Sequence, residues 1–361
     1  MARHTTSQKK IVAKQIVVGP ARFAGIDYHK RLIVVTLGDQ DGHVILQHTL
    51  FNEEESKVFE FFSQYENLIC AVESCRGYEW LIVMLQELGH EVRMADSRSV
   101  KQIAQSRCKT DKIDSQILME LLAKNFLPCA YVASKKERES RELLRHRVQM
   151  VRTCIKHKLR VHAILDKENR GIRYPFTLKG RSQVEKLHLR PMADALLHDE
   201  LEVIDYIDEQ IARQDRRVKW AAKKHPGVPL LKTIPGFDTL SALMFIAEAG
   251  DIDRFGNADQ LAAYTGLVPR VRASGGSTYT GRITKQGPKH LRWILVQCAW
   301  AAIKASPNLR ETFCIISRKK SQKVAIVAVA RKLATIAYHV LKAKTPFEEG
   351  KLDAGLARAA F

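Results

Sequence analysis

Two short apolar runs near the amino end of the chain each end in a carboxylate. Phe23–Ile26 is followed directly by Asp27, and Leu68–Val72 is followed by Glu73. Apolar runs of this length predict strands, so both acids are expected at the carboxyl ends of strands. Three further runs predict the rest of a small sheet: Leu32–Leu37, Val44–Leu50 and Glu91–Ala95.

A second pair of carboxylates lies in one turn of a predicted helix. Asp111 and Asp114 open a helical pattern that continues to Leu122. Side chains three residues apart share one face of a helix, so these two acids are expected side by side. An earlier helix is predicted over Tyr78–Leu88. Strands and helices in this order predict an α/β domain.

Together the four acids predict a site for divalent metal ions. Taken singly, Asp27 and Glu73 suit turns after strands. Asp111 and Asp114 suit a helix start, where the helix dipole favours acids. Hard cations prefer oxygen ligands, and two of them held about 3.5–4 Å apart stabilise the attacking and leaving oxygens of a phosphoryl displacement. The ordered set therefore favours a Mg²⁺ site, with Mn²⁺ as an alternative.

The composition indicates a nucleic acid as the partner. The chain carries a net charge of +20 and has a pI near 9.7. Such a balance supplies the electrostatic attraction that dominates affinity for a phosphate backbone, although charge does not distinguish DNA from RNA. Hydrophobic residues make up 45% of the 361 positions, which excludes a disordered basic tail because so many apolar residues can fill large cores.

A second candidate site centres on Ser274, which precedes two glycines. Glycine permits close backbone approach to a bulky anion such as a DNA phosphate, and the serine hydroxyl could then reach it. From spacing alone, a flexible loop is the simpler interpretation. Nearby cations could stabilise charge on a transferring phosphoryl group or simply hold DNA. They are Arg270, Arg272, Arg282, Lys285, Lys289 and Arg292.

Upstream of this site, Pro235-Gly236 precedes an apolar helix predicted over Leu240–Ala249. One interpretation is a helix-hairpin-helix element, whose backbone N–H groups hold a phosphate at a helix start. The other is an ordinary Pro-Gly turn before a core helix. The sequence leaves both open.

The middle of the chain predicts an antiparallel helical hairpin or coiled coil. One apolar stripe comprises Leu144, Val148, Val151, Ile155 and Leu159, and a second comprises Leu197, Leu201, Ile204, Ile211 and Val218. Such stripes often pack within their own chain, but this pair separates two candidate catalytic regions. We therefore expect it to build a homo-oligomer, either a dimer or a tetramer.

Two negative features narrow the class. The seven cysteines form no Cys-x-x-Cys pair, which predicts a reducing compartment and no zinc site. No apolar run approaches the ~20 residues that a membrane span requires, so we expect a cytoplasmic protein, associated with the bacterial nucleoid and not with a membrane.

Several motifs resemble those of the insertion-sequence transposases of family 110. The amino-terminal ones are Gly25–Lys30, Val72–Ser74, Gly77–Trp80 and Lys109–Asp114. The carboxy-terminal ones are Ile234–Phe237, Ala247–Ile252, Arg254-Phe255, Leu261–Pro269, Ser274–Gly276 and Gly281–Gly287. The resemblance covers about residues 23–130 and 230–305. It departs from the family at Cys75 and Arg76, where small residues are expected.

The resemblance implies a fold and a mechanism. The first region would be a RuvC-like domain with an RNase H fold, in which Asp27, Glu73, Asp111 and Asp114 form a DEDD metal site. The second would be a mainly α transposase domain. Ser274 would be the nucleophile that forms a covalent protein–DNA intermediate, activated by the DEDD site of another subunit. Lys109, which opens the second acid motif, would contact nucleic acid.

The resemblance also implies the biological role. The protein would be a site-specific recombinase that moves its own insertion element. A structured RNA from the end of the element would act as a bridge and base-pair with target and donor DNA. The absence of an obvious helix-turn-helix or zinc finger is compatible with sequence choice by RNA.

The sequence predicts five segments. They are a basic extension (1–22), the RuvC-like domain (23–132), the helical coiled-coil region (133–228), the serine transposase domain (229–345) and a tail (346–361).

Two other functions compete with this prediction. A sugar-kinase or actin-like ATPase also places an Asp at a strand end, but it needs phosphate-binding glycines, and Asp27 is followed by Tyr28-His29-Lys30. A RuvC-like Holliday-junction nuclease would need only the four acids and a metal-activated water. Ser274 separates the second alternative from a transposase.

Overall fold

The computed structural model describes residues 21–73, 77–103, 110–274 and 277–349, with the backbone alone at 272–274, 277–278 and 280. The chain divides into two compact units, Met1–Val132 and Ala133–Phe361. The first is a mixed α/β sheet unit and the second is mainly helical, which confirms the predicted fold classes.

The first unit is built on one mixed sheet. Its described strands are β1 (Phe23–Tyr28), β2 (Leu32–Gly38), β3 (Val44–Phe51), β4 (Ile69–Glu73), β5 (Glu91–Ala95) and β6 (Cys129–Ala130). They lie in the order β3-β2-β1-β4-β5-β6. β1, β2 and β3 run antiparallel, β4 and β5 run parallel to β1, and β6 is antiparallel. The first five follow the apolar runs of the sequence, and this order is consistent with an RNase H-like fold.

Helices cover both faces of the sheet. They are α1 (Glu55–Ser63), α2 (Glu79–Glu87), α3 (Ser97–Ile103) and α4 (Asp111–Ala123). Residues of α1 and α2, among them Phe62 and Leu81, pack with the core that contains Ile26. Leu118 and Leu122 of α4 pack in a separate core with Ala71 and Ala95. The sequence analysis predicted α2 and α4 but not α1 or α3.

Helix α4 lies directly against the backbone of β1 at Gly25. A Cβ atom at this position would lie 2.0 Å from the carbonyl oxygen of Ser115 and 2.5 Å from the amide nitrogen of Met119. Since side chains cannot approach backbone atoms so closely, only glycine allows this contact. Gly25 thereby brings the start of α4 close to the end of β1.

Two polar contacts fix α4 along its axis. The hydroxyls of Thr36 on β2 and Ser115 on α4 form a buried 2.8 Å hydrogen bond. Gln47 on β3 donates from Nε2 to the Lys112 carbonyl at 3.2 Å and to the Thr36 hydroxyl at 3.1 Å. The first turn of α4 is therefore anchored to the sheet as well as packed on it.

We expect Gly25→Ala to destabilise the protein by roughly 2–4 kcal/mol, because the added Cβ meets backbone atoms that cannot yield without moving α4. Gly38→Ala is the matched control on β2. The three atoms nearest to its Cβ would all belong to the flexible Met119 side chain, with Sδ at 2.4 Å, so the cost should be smaller. Urea denaturation measures both. Equal losses in the free energy of unfolding would show that α4 packs no more tightly on Gly25 than on Gly38.

The second unit begins with a long helical hairpin. Helix α5 (Lys135–Lys167) starts at a capping box formed by Ser134 and Glu137, and after α6 (Leu178–Val184) the chain returns as α7 (Pro191–Lys223). The pairs Arg147–Asp215 at 2.7 Å and His157–Glu200 at 2.5 Å join α5 and α7. Early residues of α5 thus meet late residues of α7, as an antiparallel pair requires.

One of the two predicted apolar stripes is wrong in its second half. Leu144 and Val148 are buried, but Ile155 and Leu159 are 50% and 62% exposed. The buried face of α5 continues instead through Cys154 and Val161 and ends at Leu165. The spacing up to Ile155 fits a seam, so the difference comes from packing: the side of α5 that meets Leu201 and Ile204 of α7 is the side that carries Cys154 and Val161.

The rest of the unit is a helical core with one hairpin. Its elements are α8 (Gly227–Leu231), α9 (Thr239–Ala249), a 3-10 turn (Ile252–Arg254), α10 (Ala258–Thr265), β7 (Pro269–Ser274), β8 (Ser277–Ile283), α11 (Lys289–Ala305), α12 (Pro307–Lys319) and α13 (Gln322–Ala343).

Helix α9 is the centre of this core. It is buried along nearly its whole length, and Asp238 caps its start by accepting the Ser241 amide at 2.7 Å. Gly236 has a φ of +87°, and a Cβ there would lie 2.3 Å from the Cys298 carbonyl of α11. Asp238 already occupies a helix-start N–H that a phosphate would need, which favours a core turn over a phosphate-binding hairpin.

Helix α13 is long and apolar enough to span a membrane by length and composition, although Arg331 and Lys332 interrupt its apolar run. Of its apolar window, 56% is buried inside the unit. Ile326, Val329 and Leu333 are among its residues in the core shared with α9 and α11. Its apolar character is therefore that of a core helix.

A buried carboxylate joins the helical hairpin of α5 and α7 to the core around α9. Glu248 of α9 is 1% exposed, and its two oxygens accept hydrogen bonds from Arg145 of α5 at 2.7 and 2.8 Å. The Glu248 carbonyl accepts further hydrogen bonds from Arg141 and Tyr264, both at 3.3 Å. The bidentate pair compensates a charge that would otherwise be very costly to bury.

The two partners of this pair should respond unequally to mutation. We expect Arg145→Met to cost about 3 kcal/mol, because Glu248 would remain buried without its cation. Glu248→Gln should cost less, since the Arg145 side chain is 45% exposed and can be hydrated. Chemical denaturation of both variants and of the double mutant measures the difference. A larger loss for Glu248→Gln would contradict the assignment of the buried charge.

Candidate functional site

Asp27 and Glu73 lie on neighbouring parallel strands. In the β1–β4 ladder Ile26 is paired with Val72, so the two acids follow directly at the same edge of the sheet. Asp27 is 3% exposed, and Glu73 is half-buried. The sequence prediction that both acids lie at carboxyl ends of strands agrees with this geometry, although β1 continues one residue beyond Asp27.

The other two acids lie in the first turn of α4. Thr110 caps the helix by accepting the Ile113 amide at 3.3 Å, and the Asp114 amide donates to the Thr110 carbonyl at 2.9 Å. Asp111 is exposed and Asp114 is half-buried. Because Gly25 holds α4 against β1, this turn lies near the buried carboxylate of Asp27.

His29 lies between Asp27 and Asp111. Its Nε2 atom is 3.0 Å from Oδ2 of Asp27 and 3.3 Å from Oδ1 of Asp111. One ligand atom from each of these three residues lies within 4.8 Å of the other two. The arrangement joins the end of β1 to the start of α4 by direct contacts.

The charges around Asp27 connect it to the remaining acids. Burial raises the pKa of the Asp27 carboxyl above its ordinary value, and the ion pair and hydrogen bond with His29 lower it. The charges of Glu73 and Asp114 raise the pKa again, and the net direction is upward. Asp27 is thus a buried carboxylate within electrostatic range of two further acids.

This environment fits a divalent cation. Glu73 and Asp114 act on the charge of Asp27, although they lie outside the tighter group that Asp27 forms with His29 and Asp111. A bound cation would offset both the cost of burying Asp27 and the repulsion among the acids. The donors are mainly carboxylate oxygens, which suit a hard divalent cation.

His29 was not among the site residues predicted from the sequence. The available signal was its spacing, because residues two apart in an extended chain point to the same side. His29 lies two positions after Asp27. Its amide donates a hydrogen bond to the Leu32 carbonyl at 2.9 Å, which closes the turn between β1 and β2. Its contact with Asp111 depends on helix packing and has no local signal.

Ser274 is the last residue of β7 before two residues outside the described part of the chain. It is paired in register with Ser277, the first residue of β8. The segment predicted most simply as a flexible loop is therefore the end of a β-hairpin. The side chain of Ser274 lies outside the described atoms, so its role stays a prediction.

The predicted nucleic-acid-binding cations differ in their surroundings. Arg292 is half-buried, and its Nη1 atom lies 3.0 Å from the Thr265 carbonyl and 3.3 Å from the Gly287 carbonyl. It therefore joins the backbone segment before β7 to the segment after β8. The Arg272 side chain lies outside the described atoms, as does all of Lys109. The remaining four are exposed: Arg270, Arg282, Lys285 and Lys289.

Comparison with known families supplies the identity. Residues 24–169 match the model of DEDD transposases of the IS110 type, and residues 228–314 match the transposase family IS116/IS110/IS902. The chain belongs to the IS110 family of transposases. As a family member it is a DNA transposase, an enzyme that cuts and rejoins DNA.

Individual relatives agree with this assignment. A probable family 20 transposase of Pseudomonas aeruginosa is 27% identical over 90% of this chain and 98% of its own length. The transposase for insertion sequence element IS1328 of Yersinia enterocolitica is 29% identical over 88% of this chain and 98% of its own. A pilin gene-inverting protein of Moraxella bovis is 27% identical over 72% of this chain and 75% of its own.

We expect Asp27→Asn to stabilise the metal-free transposase at neutral pH. The Asp27 pKa is raised from an ordinary value of 3.8, so ionising this carboxyl costs stability as the pH rises through the folded pKa. The substitution removes that cost, and we expect a gain of roughly 0.5–2 kcal/mol.

Thermal unfolding in a chelator measures the effect at pH 7 and at about pH 4, where the gain should shrink because the wild-type carboxyl takes up its proton. Adding Mg²⁺ should stabilise the wild type more than Asp27→Asn. A metal-free variant that is less stable than the wild type at pH 7 would contradict the prediction.

Proposed function

We propose that this transposase recombines DNA with a metal-dependent carboxylate site and a serine nucleophile. The observation that carries the proposal is the contact of α4 with Gly25, which brings Asp111 and Asp114 to the sheet edge of Asp27 and Glu73. Two acids of a sheet and two of a helix would then share one site. The finer fold assignment, a RuvC-like domain followed by a coiled-coil hairpin and a serine transposase domain, belongs to the same proposal.

Asp27, Glu73, Asp111 and Asp114 would hold Mg²⁺, with Mn²⁺ as an alternative. The bound ion would supply stabilisation of charge on the oxygens of a phosphate undergoing displacement. In the free protein, His29 contacts Asp27 and Asp111 and so keeps the two elements together. The raised pKa of Asp27 supports a cation site because a buried carboxyl among other acids is costly to ionise without a counter-charge.

Ser274 would attack a DNA phosphate. Its Oγ would form a bond to phosphorus as the bond to the leaving deoxyribose oxygen breaks. The serine proton would pass to a base supplied by the acid site of another subunit, and the leaving oxygen would take up a proton to become a free hydroxyl. The hydroxyl of an incoming strand would then attack the same phosphorus and release the serine. One phosphodiester is replaced by another, so no water and no external energy source are consumed.

The position of Ser274 supports this role. It lies at the end of a hairpin whose exposed cations include Arg270 and Arg282. Such cations hold the phosphate backbone and stabilise the charge that develops during transfer. Lys285 and Lys289 follow the hairpin directly and would extend the contact along the strand.

The partners would be the element ends and the target DNA, joined by a structured bridge RNA that pairs with both. The net charge of +20 supports binding of more than one nucleic-acid strand. The name of the Moraxella bovis relative, a pilin gene-inverting protein, supports rejoining of DNA as well as cutting. The transposase would act in the bacterial cytoplasm at the nucleoid.

The active assembly would be a homodimer or homotetramer, because Ser274 takes its base from another subunit. Exposed apolar residues on the helical hairpin support self-association. Ile155 and Leu159 lie on α5, and Tyr206 on α7 is 64% exposed.

We expect Ser274→Ala and Asp114→Asn both to abolish strand transfer, with losses of about 10⁴-fold or more. The assay combines element-end DNA, target DNA, the flanking transcript and Mg²⁺, and denaturing gels detect covalent protein–DNA adducts. Wild type should form an adduct that neither variant forms. Ser277→Ala, at the position paired with Ser274, is the matched control and should retain the adduct.

The competing function is a Holliday-junction nuclease that uses metal-activated water, which the carboxylate site alone would support. DNA cleavage without an adduct, retained in Ser274→Ala and lost in Asp114→Asn, would establish the nuclease and exclude the serine mechanism. An adduct lost in Ser277→Ala but kept in Ser274→Ala would move the nucleophile to the neighbouring strand.

A further inference from the structure

An exposed aromatic side chain lies on the hairpin that carries Ser274. Tyr279 of β8 is 70% exposed, although it lies in a regular antiparallel ladder. An exposed tyrosine is common on protein surfaces and needs no special explanation when it stands alone. Three features distinguish Tyr279 from such a lone residue: its register in the hairpin, the positive charge of the surrounding sequence and the space beside its ring.

The register places Tyr279 on the same face of the hairpin as the Ser274 position. Tyr279 is paired with Arg272, and Ser274 is paired with Ser277. Residues two apart along a strand lie on one face, and diagonal neighbours across a ladder are about 7–8 Å apart. Val271, which is paired with Thr280, lies on the opposite face.

The space beside the Tyr279 ring is kept open by glycine. A Cβ at Gly281 would lie 3.8 Å from Cε1 of Tyr279 and 3.8 Å from Cβ of Arg270. Gly281 therefore lies between the ring and the stem of an exposed arginine and adds no side chain of its own. An aromatic ring and a guanidinium group on one face can hold a base and its phosphate together.

The stretch of sequence that contains this hairpin carries charge of one sign. The sequence contains no Asp or Glu between Asp259 and Glu311. Over the same stretch it contains the cations Arg270, Arg272, Arg282, Lys285, Lys289, Arg292, Lys304 and Arg310. A surface of this kind attracts a polyanion, and a phosphate backbone is the polyanion on which a transposase acts.

We propose that Tyr279 stacks on an unpaired base of the DNA strand whose phosphate is attacked at Ser274. This inference rests on the proposed serine mechanism. Strand exchange requires bases to leave their duplex, and every base then offers a flat face to an aromatic ring. Stacking would fix the nucleotide next to the reacting phosphate, so Tyr279 is a positioning residue and not a catalytic one.

Photocrosslinking tests the contact directly. Full-length transposase with Mg²⁺ is mixed with element-end DNA that has an unpaired stretch and carries 5-iododeoxyuridine at successive positions. Irradiation joins the iodinated base to an aromatic ring stacked on it, and mass spectrometry maps the protein residue. We expect a crosslink at Tyr279 that is retained in Tyr279→Phe and lost at least tenfold in Tyr279→Leu.

Two further measurements separate stacking from a structural role. Tyr279→Leu should weaken binding of the unpaired DNA by roughly tenfold, and Tyr279→Phe should restore it. Val271→Ala on the opposite face should leave both crosslink and binding unchanged, since Val271 is also exposed, at 59%. Equal losses in Val271→Ala and Tyr279→Leu would overturn the proposal, because they would indicate damage to the hairpin.

The experiment distinguishes this inference from the serine mechanism. Ser274→Ala should lose the covalent adduct and keep the Tyr279 crosslink. A crosslink at Tyr279 in a wild type that forms no adduct would uphold the stacking contact and reject the serine. An adduct without a Tyr279 crosslink, a crosslink confined to iodinated RNA, or a Tyr279 contact only with a second copy of the chain would each overturn the stacking proposal.

Discussion

The carboxylate site depends on one backbone-to-backbone contact. Because Gly25 of β1 has no Cβ, the first turns of α4 pack directly against the β1 backbone. The hydrogen bond between Thr36 and Ser115 holds the helix in that position. Without this contact, Asp27 would share its sheet edge with Glu73 alone, and Asp111 would be an ordinary helix-start acid. A residue without a side chain thus brings the side chains of the site together.

The same packing creates the electrostatic cost that a metal ion would offset. Asp27 is buried among carboxylates, and its pKa is raised by burial and by the charges of Glu73 and Asp114. Only His29 opposes that direction. A free protein that carries an unfavourable cluster of acids at neutral pH gives up stability for function, a common property of active sites.

In the second unit, the buried carboxylate of Glu248 has its counter-charge within the protein. This carboxylate is as deeply buried as Asp27, but both of its oxygens are hydrogen-bonded to Arg145. The pair joins the long helical hairpin to the core around α9 and leaves no unsatisfied charge. Two buried acids in one chain therefore differ in their surroundings: Glu248 has a fixed cation from the protein, whereas Asp27 lies among other acids, where a cation from solution would offset the cost of its burial.

The sequence was sufficient for local features. Apolar runs ending in Asp27 and Glu73 predicted the strands and the edge of the site, because a strand buried on both faces leaves a short continuous apolar run in the sequence. Asp111 and Asp114 marked the start of α4, because the helix dipole favours acids in the first turn. Tertiary packing decided the rest: His29 meets Asp111, Glu248 meets Arg145, and Ile155 faces solvent. Such outcomes depend on which distant elements approach each other and how closely, and that information is spread over the whole chain.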